Sequence, residues 1–209
     1  MNILIFGASG ATGHELVKQG LEQGHTVTAF VRNPAKLKVD HEKIKMHQGD
    51  VKDFIAVEKA VSGQDAVLSA LGASSPFKYD PVVVEGVGNI IKAMEQSGIK
   101  RFIYLSFIGV KESRKDAPIF IKYIASKILR TEIAGHEAKE NMIKQSNLAW
   151  TIVRPATLTN GPKKGVYRFG EDLKSNAFMV TSSRADVADF MLKQISDDRF
   201  YQKSVRIMY

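Results

Sequence analysis

The sequence predicts a single α/β domain with a doubly wound, mainly parallel sheet. Short apolar runs rich in β-branched residues alternate with helical periodicities along all 209 residues. Gly, Asn and Pro turn signals separate them. No internal repeat or linker-like tract divides the chain, so one domain over residues 1–209 is the economical reading. Strand–helix alternation of this kind implies right-handed crossovers and a parallel sheet covered on both faces.

The elements follow in order. Asn2–Phe6 is an apolar strand that runs into Gly7-Ala-Ser-Gly10-Ala-Thr-Gly13. Leu16, Val17, Gly20 and Leu21 then recur at helical spacing, and Gly24 ends that helix. Thr26–Val31 is the second strand, closed by Asn33-Pro34, and Ile44–Gln48 the third. Asp53 caps a helix running to about Val61, and Gly63-Gln64-Asp65 turns into a buried fourth strand, Ala66–Ala70. Pro81 opens a long helix to about Ser97, stopped by Gly98, and Arg101–Ser106 is the fifth strand. An insertion of about 107–131 follows on the side expected to hold substrate. Glu132–Ser146 is a helix and Ala149–Val153 a sixth strand stopped by Arg154-Pro155. After a loop region of about 156–180, Arg184–Ile195 is the last helix and Ser204–Met208 a C-terminal edge strand. The expected strand order is 3-2-1-4-5-6 plus that edge strand.

Composition narrows the function. Hydrophobic residues make up 44% of the chain, enough for a substantial core. Cysteine is absent, which excludes disulfides, thiolate zinc sites and a cysteine nucleophile and agrees with a cytoplasmic location. No apolar run reaches the roughly 18–20 residues that span a bilayer, and since Met1 leads straight into the first strand no signal peptide is expected. The formal charge is +8, but the lysines are dispersed, and the densest group, Lys111–Lys115, is broken by Glu112 and lacks interleaved aromatics. That pattern speaks against nucleic acid and is satisfied by a polyanionic cofactor. His14, His25, His41 and His47 show no metal-ligand spacing, so no metal is expected. The expected partners are a small-molecule acceptor and, at most, further copies in a small homo-oligomer.

The glycine turn carries the first functional signal. A strand ending in a glycine-spaced turn that opens a helix presents unpaired N–H groups to a phosphate. Gly7, Ser9, Gly10, Ala11, Thr12 and Gly13 are therefore candidates for binding a dinucleotide pyrophosphate. The alternative is an ordinary strand-to-helix turn. In such sheets ligands bind beyond the carboxyl ends of the strands at the topological switch point. This adds Ala70, Leu71, Gly72 and Ala73 after the fourth strand, Ser106 after the fifth, and Pro155, Ala156 and Thr157 after the sixth. At the end of the second strand Val31 is followed by Arg32, with no carboxylate until Asp40. A carboxylate there would suit the free ribose of NAD, whereas a guanidinium fork suits a 2′-phosphate, so NADP(H) is favoured over NAD(H). Asp50 can accept from the adenine amino group while Val51 packs on the ring; capping falls more naturally to Asp53.

At these residues the chain resembles the atypical short-chain dehydrogenases/reductases. It is most similar to the group of biliverdin reductase B (flavin reductase), with NmrA-like proteins nearby. The matching pieces are Gly7–Gly13, Val31-Arg32, Gly49-Asp50-Val51, the 60–67 segment and Leu71-Gly72. Further matches are Glu85-Gly86 with Asn89-Ile90, Ser106, His136, the 144–148 segment, Arg154-Pro155 and the 185–188 segment. The resemblance implies a Rossmann-type fold, NADP(H), Ser106 as the active-site serine and His136 as a proton relay. It also implies one of two activities. The first is hydride transfer from NADPH to a flavin, quinone or similar planar acceptor. The second is NADP sensing without turnover, as in NmrA-like regulators. A nucleotide-sugar epimerase is less compatible, because the C-terminal substrate domain of such enzymes has no counterpart here.

Typical short-chain dehydrogenases add a tyrosine and, four residues on, a lysine that lowers its pKa. Tyr123 and Lys127 have that spacing, but they lie in the insertion, and Tyr123 reads equally as a packing residue beside Phe120, Ile121 and Ile124. Ser106 could instead make only a strand-end hydrogen bond, and His136 could be a surface residue. Phe107, Ile108, Phe120 and Ile121 are expected to form an apolar flap, with Tyr167, Phe169 and Phe178 as the opposite wall.

Overall fold

The computed structural model describes residues 1–72, 79–128 and 130–209. The sheet contains β1 (Asn2–Phe6), β2 (Thr26–Val31), β3 (Ile44–Gln48), β4 (Ala66–Ser69), β5 (Arg101–Leu105), β6 (Ala149–Pro155), β8 (Arg168–Gly170) and β10 (Lys203–Met208). Their spatial order is β3-β2-β1-β4-β5-β6-β10-β8, and only β8 runs antiparallel to its neighbour. This is the expected 3-2-1-4-5-6 order with the C-terminal strand added beside β6. The edge is refined in one respect. Residues 168–170, part of the expected loop region, pair with Arg206–Met208, so the C-terminal strand has a short outer neighbour. A separate two-stranded ribbon joins β7 (Thr157–Thr159) to β9 (Thr181–Ser183).

The central strands are buried on both faces because helices cover both. Ile3 and Ile5 face one core with α1 (Ala11–Glu22) and α6 (Arg184–Lys193). Leu4 and Phe6, pointing the other way with the period of two of a strand, face a second core with α2 (Phe54–Val61), α3 (Pro81–Ser97) and α5 (Arg130–Gln145). Each such side chain, wholly removed from water, contributes about 1.5–3 kcal/mol. Gly20 lets α1 lie close to the sheet, since a Cβ there would stand 3.2 Å from Ile3 and 3.3 Å from Val27. Asp53 caps α2 as expected, accepting from the N–H groups of Ile55 at 3.0 Å and Ala56 at 3.2 Å. Ser183 caps α6 by accepting from Asp186 N–H at 3.0 Å.

The insertion is an ordered cap. Lys111–Asp116 forms a 3-10 helix, Phe120–Ala125 a stretch of π-helix, and α4 (Ser126–Ile128) one further turn before α5. The cap has a small core of its own, in which Ile108, Ala117 and Ile121 pack on Ala156 and Met208.

Candidate active site

Parallel register brings the strand ends to one edge. Phe6 lies beside Ser69, Ser69 beside Tyr104, and Leu105 beside Val153. The residues that follow therefore form a row. Ala70 N–H donates to Phe6 C=O at 3.0 Å and Ser106 N–H to Val153 C=O at 2.7 Å. A cleft runs along this row in two connected parts that share Gly10, Ala70, Leu71 and Gly72.

The narrower part, ≈ 420 Å³, is lined by Gly7, Ser9, Val31, Arg32, Asp50 and Val51, among others. Arg32 is exposed at its rim, and among the described residues its guanidinium has no carboxylate partner. Asp50 accepts from Lys52 N–H at 3.0 Å, which leaves capping to Asp53. Asn89 on α3 pins this loop, donating to the Val51 carbonyl at 2.9 Å.

The glycine turn fits a pyrophosphate. Gly7 has φ +76°, and a Cβ on it would meet the Ala70 carbonyl at 2.6 Å. A Cβ on Gly13 would stand 2.0 Å from the Gly7 carbonyl, so the helix can start against the turn only with a bare α-carbon there. Gly10, the N-cap, has no side chain to cap the first turn. The N–H groups of that turn are left to an external acceptor, and Gly10, Ala11 and Thr12 open into the wider cavity. Ser9, Gly10 and Ala11 also border a third hollow shared with Arg184.

The wider part, ≈ 720 Å³, is lined by Ser106, Phe107, Phe120, Ile121, Glu132, Ile133, His136, Pro155, Ala156, Thr157, Leu158 and Arg184, together with the shared residues. Phe107, Phe120 and Ile121 do form an apolar flap, while Ile108 is buried beneath it. The opposite wall differs from expectation. Tyr167 and Phe169 turn away to pack on Phe190 of α6, with ring centroids 6.0 and 5.1 Å from it, because β8 pairs with β10. Phe178 is exposed and touches Phe120 edge-on. Ala156, Thr157 and Leu158 supply the wall instead. Ala73 lies outside the described residues.

The catalytic candidates are placed unequally. Ser106 and His136 line the cavity; Tyr123 and Lys127 do not, and both are exposed. Tyr123 sits in the π-helical stretch and Lys127 in the short turn after it, both on the solvent side of the cap.

Ser106 is buried and donates its hydroxyl proton to Glu140 Oε1 at 2.6 Å. The same carboxylate receives Arg154 through Nε at 3.0 Å and Nη2 at 2.5 Å. Arg154 Nη1 also reaches Glu112 at 2.7 Å, tying the cap to β6.

His136 is also buried, with Nδ1 unpartnered among the described residues. Burial, reinforced by the neighbouring Lys139 ammonium, holds its imidazole down to about 3. Burial lowers Lys139 to about 8, against the pull of Glu132, Asp80 and Glu140. Burial raises the Glu132 carboxyl, with Lys139 opposing.

Glu132, Glu140 and Arg184 are site residues that sequence reasoning missed. The signal for the first two was an acidic–His–acidic series at intervals of four, Glu132, His136 and Glu140, on a helix with one side packed.

Fold and cleft define a dinucleotide-binding α/β protein with a roofed cavity at the switch point. The chain belongs to the NAD(P)H-binding family, whose model matches residues 7–198, and is of the atypical short-chain dehydrogenase/reductase kind. It is 27% identical over 221 aligned residues to the photosystem II assembly factor Ycf39 of Synechocystis, a match that covers all of this chain and 62% of that protein's length. Two solved structures share the fold. A short-chain dehydrogenase/reductase of the wide type from Veillonella parvula, in complex with NADP, superposes with TM-score 0.82 at 24% identity, over 99% of this chain and 93% of that one. ChuY, an anaerobillin reductase from Escherichia coli O157:H7, has TM-score 0.82 at 20% identity, over 99% and 96%.

Proposed function

We propose that this protein is an NADPH-dependent reductase that passes hydride to a flat, unsaturated acceptor such as a flavin or quinone. The observation that carries this reading is the cleft itself. Its narrow arm, lined by the glycine turn, Arg32, Asp50 and Val51, opens into a cavity whose wall includes Phe107 and Phe120. When bound, the reduced nicotinamide supplies the hydride; the chain supplies orientation, exclusion of water and proton management. The turn at Gly7–Gly13 would hold the pyrophosphate, Asp50 and Val51 the adenine, and Arg32 the 2′-phosphate that makes NADP(H) the preferred form. Ser106, its proton committed to Glu140, would accept a hydrogen bond from the carboxamide of the cofactor or from the acceptor.

A second reading is a sensor that binds NADP without turnover; the placement of Tyr123 and Lys127 outside the cavity favours it. One experiment separates them. Purified protein is offered NADPH with riboflavin, FMN and menadione, and NADPH oxidation is followed by absorbance. Turnover with at least one acceptor supports the reductase. Tight NADP binding by calorimetry, with no oxidation across the panel, supports the sensor.

A further inference from the structure

We propose that Glu132 is the proton donor of this cavity, delivering its carboxyl proton to the acceptor as hydride arrives. The proposal rests on the reductase reading and concerns the one step that reading leaves unassigned. The acceptor atom that takes up negative charge needs a proton, and few lining groups can give one. Ser106 already donates to Glu140, whose carboxylate also receives Arg154. Thr12 and Thr157 are aliphatic hydroxyls, and Arg184 does not release a proton in proteins. His136 is neutral in this setting, so its unpartnered Nδ1 serves as an acceptor or a relay. Glu132 remains, a half-buried carboxyl in the cavity wall one helical turn before His136.

Its surroundings suit a group that cycles between acid and carboxylate. Burial favours the protonated form. Lys139, further along the same helix, stabilises the carboxylate left after transfer; Lys139 itself faces Asp80, just before α3, and Glu140. Arg184, on the first turn of α6, lines the same cavity and is held by Asn160 Oδ1 at 2.6 Å.

The step balances. Reduced nicotinamide is the reductant, and two electrons with one hydrogen nucleus reach an acceptor carbon or nitrogen as hydride. The Glu132 O–H bond breaks, and its proton bonds to the acceptor oxygen or nitrogen that gained the charge. Glu132 remains as carboxylate and regains a proton from solvent before the next turnover.

The test uses the full chain, Glu132→Gln and Glu132→Asp, with NADPH and whichever of menadione or FMN the wild type reduces. A donor must be protonated, so wild-type kcat falls as pH rises through a titration lying above the ordinary carboxyl range. Glu132→Gln is expected to lower kcat about 10²-fold and abolish that limb, while NADP affinity by calorimetry stays within about twofold. Glu132→Asp restores the limb at a reduced rate. Infrared titration of the protein alone should show a carboxyl band titrating above the ordinary range that is missing in Glu132→Gln. Unchanged kcat and pH limb in Glu132→Gln, or no band lost from it, overturns the assignment and leaves the reductase reading standing. A wild type inert toward every acceptor overturns both.

Discussion

Ser106 hands its hydroxyl proton to Glu140 across 2.6 Å, from the end of β5 to the middle of α5. The direction is fixed by chemistry. Glu140 is fully buried, and both its oxygens accept from Arg154, through Nε and Nη2, so the hydroxyl is left to donate. The pair joins the wall that carries Glu132 and His136 to the strand end that carries Ser106. Site geometry thus depends on a buried ion pair outside the cavity lining.

Breaking that pair on one side should be costly. Arg154→Met leaves the buried Glu140 carboxylate only the partly exposed Lys144 ammonium at 3.6 Å, and the unfolding free energy from urea titration is expected to fall by up to about 3–5 kcal/mol. The double variant Arg154→Met with Glu140→Leu should recover most of the loss, because two apolar groups of similar volume leave no orphaned charge. A single variant within about 1 kcal/mol of wild type would mean that water reaches the pair, against its burial at 1% and 0% side-chain exposure.

Two glycines of the same turn should separate folding from binding. Gly13→Ala puts a Cβ 2.0 Å from the Gly7 carbonyl, so the turn must open, and both thermal stability and dinucleotide binding are expected to drop. Gly10 has ordinary extended backbone, φ −79°, and a Cβ there would stand 3.2 Å from the Gly7 carbonyl, a tight contact that a shift of a few tenths of an ångström relieves. Gly10→Val should therefore stay folded by circular dichroism, yet its side chain occupies the junction of the two cleft arms. Calorimetry should then show NADP binding weakened by at least tenfold. If Gly10→Val binds as wild type, the pyrophosphate does not lie at this helix mouth.

The sheet was legible because its determinants are local. Apolar runs, glycine turns and the Asp53 cap each act within a few residues, and parallel connectivity follows from their alternation. The tight turn at the mouth of the narrow arm was legible for the same reason, since Gly7–Gly13 is contiguous. The catalytic wall was not. Glu140 acquires its meaning only when Arg154 and Ser106, 14 and 34 residues away, meet it in space. The spacing of Tyr123 and Lys127 suits a shared helical face, but spacing does not say where that face points, and both side chains stand exposed outside the cavity. The aromatics of 167–178 were misplaced because pairing of a three-residue strand, too short to read from periodicity, turns Phe169 onto Phe190.

Cofactor preference should turn on Arg32. Its guanidinium lies at the rim of the narrow arm, proposed to take the adenine end, with no carboxylate to satisfy among the described residues. A charge-assisted hydrogen bond to a 2′-phosphate is worth about 1.5–3 kcal/mol, so Arg32→Ala should weaken NADP binding roughly 10- to 100-fold and leave NAD nearly unchanged. Arg32→Asp should go further and favour NAD, because a carboxylate accepts from the free ribose hydroxyls and repels the phosphate. Parallel calorimetric titrations with NADP and NAD measure both. Equal losses for the two dinucleotides would place Arg32 away from the 2′ position.

The last prediction concerns pH and His136. In the unfolded chain its imidazole takes a proton below its ordinary value of 6.5, whereas burial first, and then Lys139, keeps it neutral in the folded chain down to about 3. Between those values the unfolded state binds the extra proton. Stability therefore falls as pH is lowered from about 6.5, by up to about 1.4 kcal/mol per pH unit from this group. Above that range His136 adds no slope. Urea titrations at pH 7, 6, 5 and 4 should show the decline in wild type and a shallower one in His136→Gln, which has no proton to take up. Asp186 does not confound the comparison. Burial would raise its carboxyl, but hydrogen bonds from Tyr209, Gly165, Ser183 and Lys164 outweigh that and hold it below 3.8. Its contribution is therefore lost as pH falls through the ordinary carboxyl range and below, equally in both proteins. Parallel slopes for wild type and variant would mean that His136 accepts its proton within the fold, and its role as a neutral cavity acceptor would fall with that result.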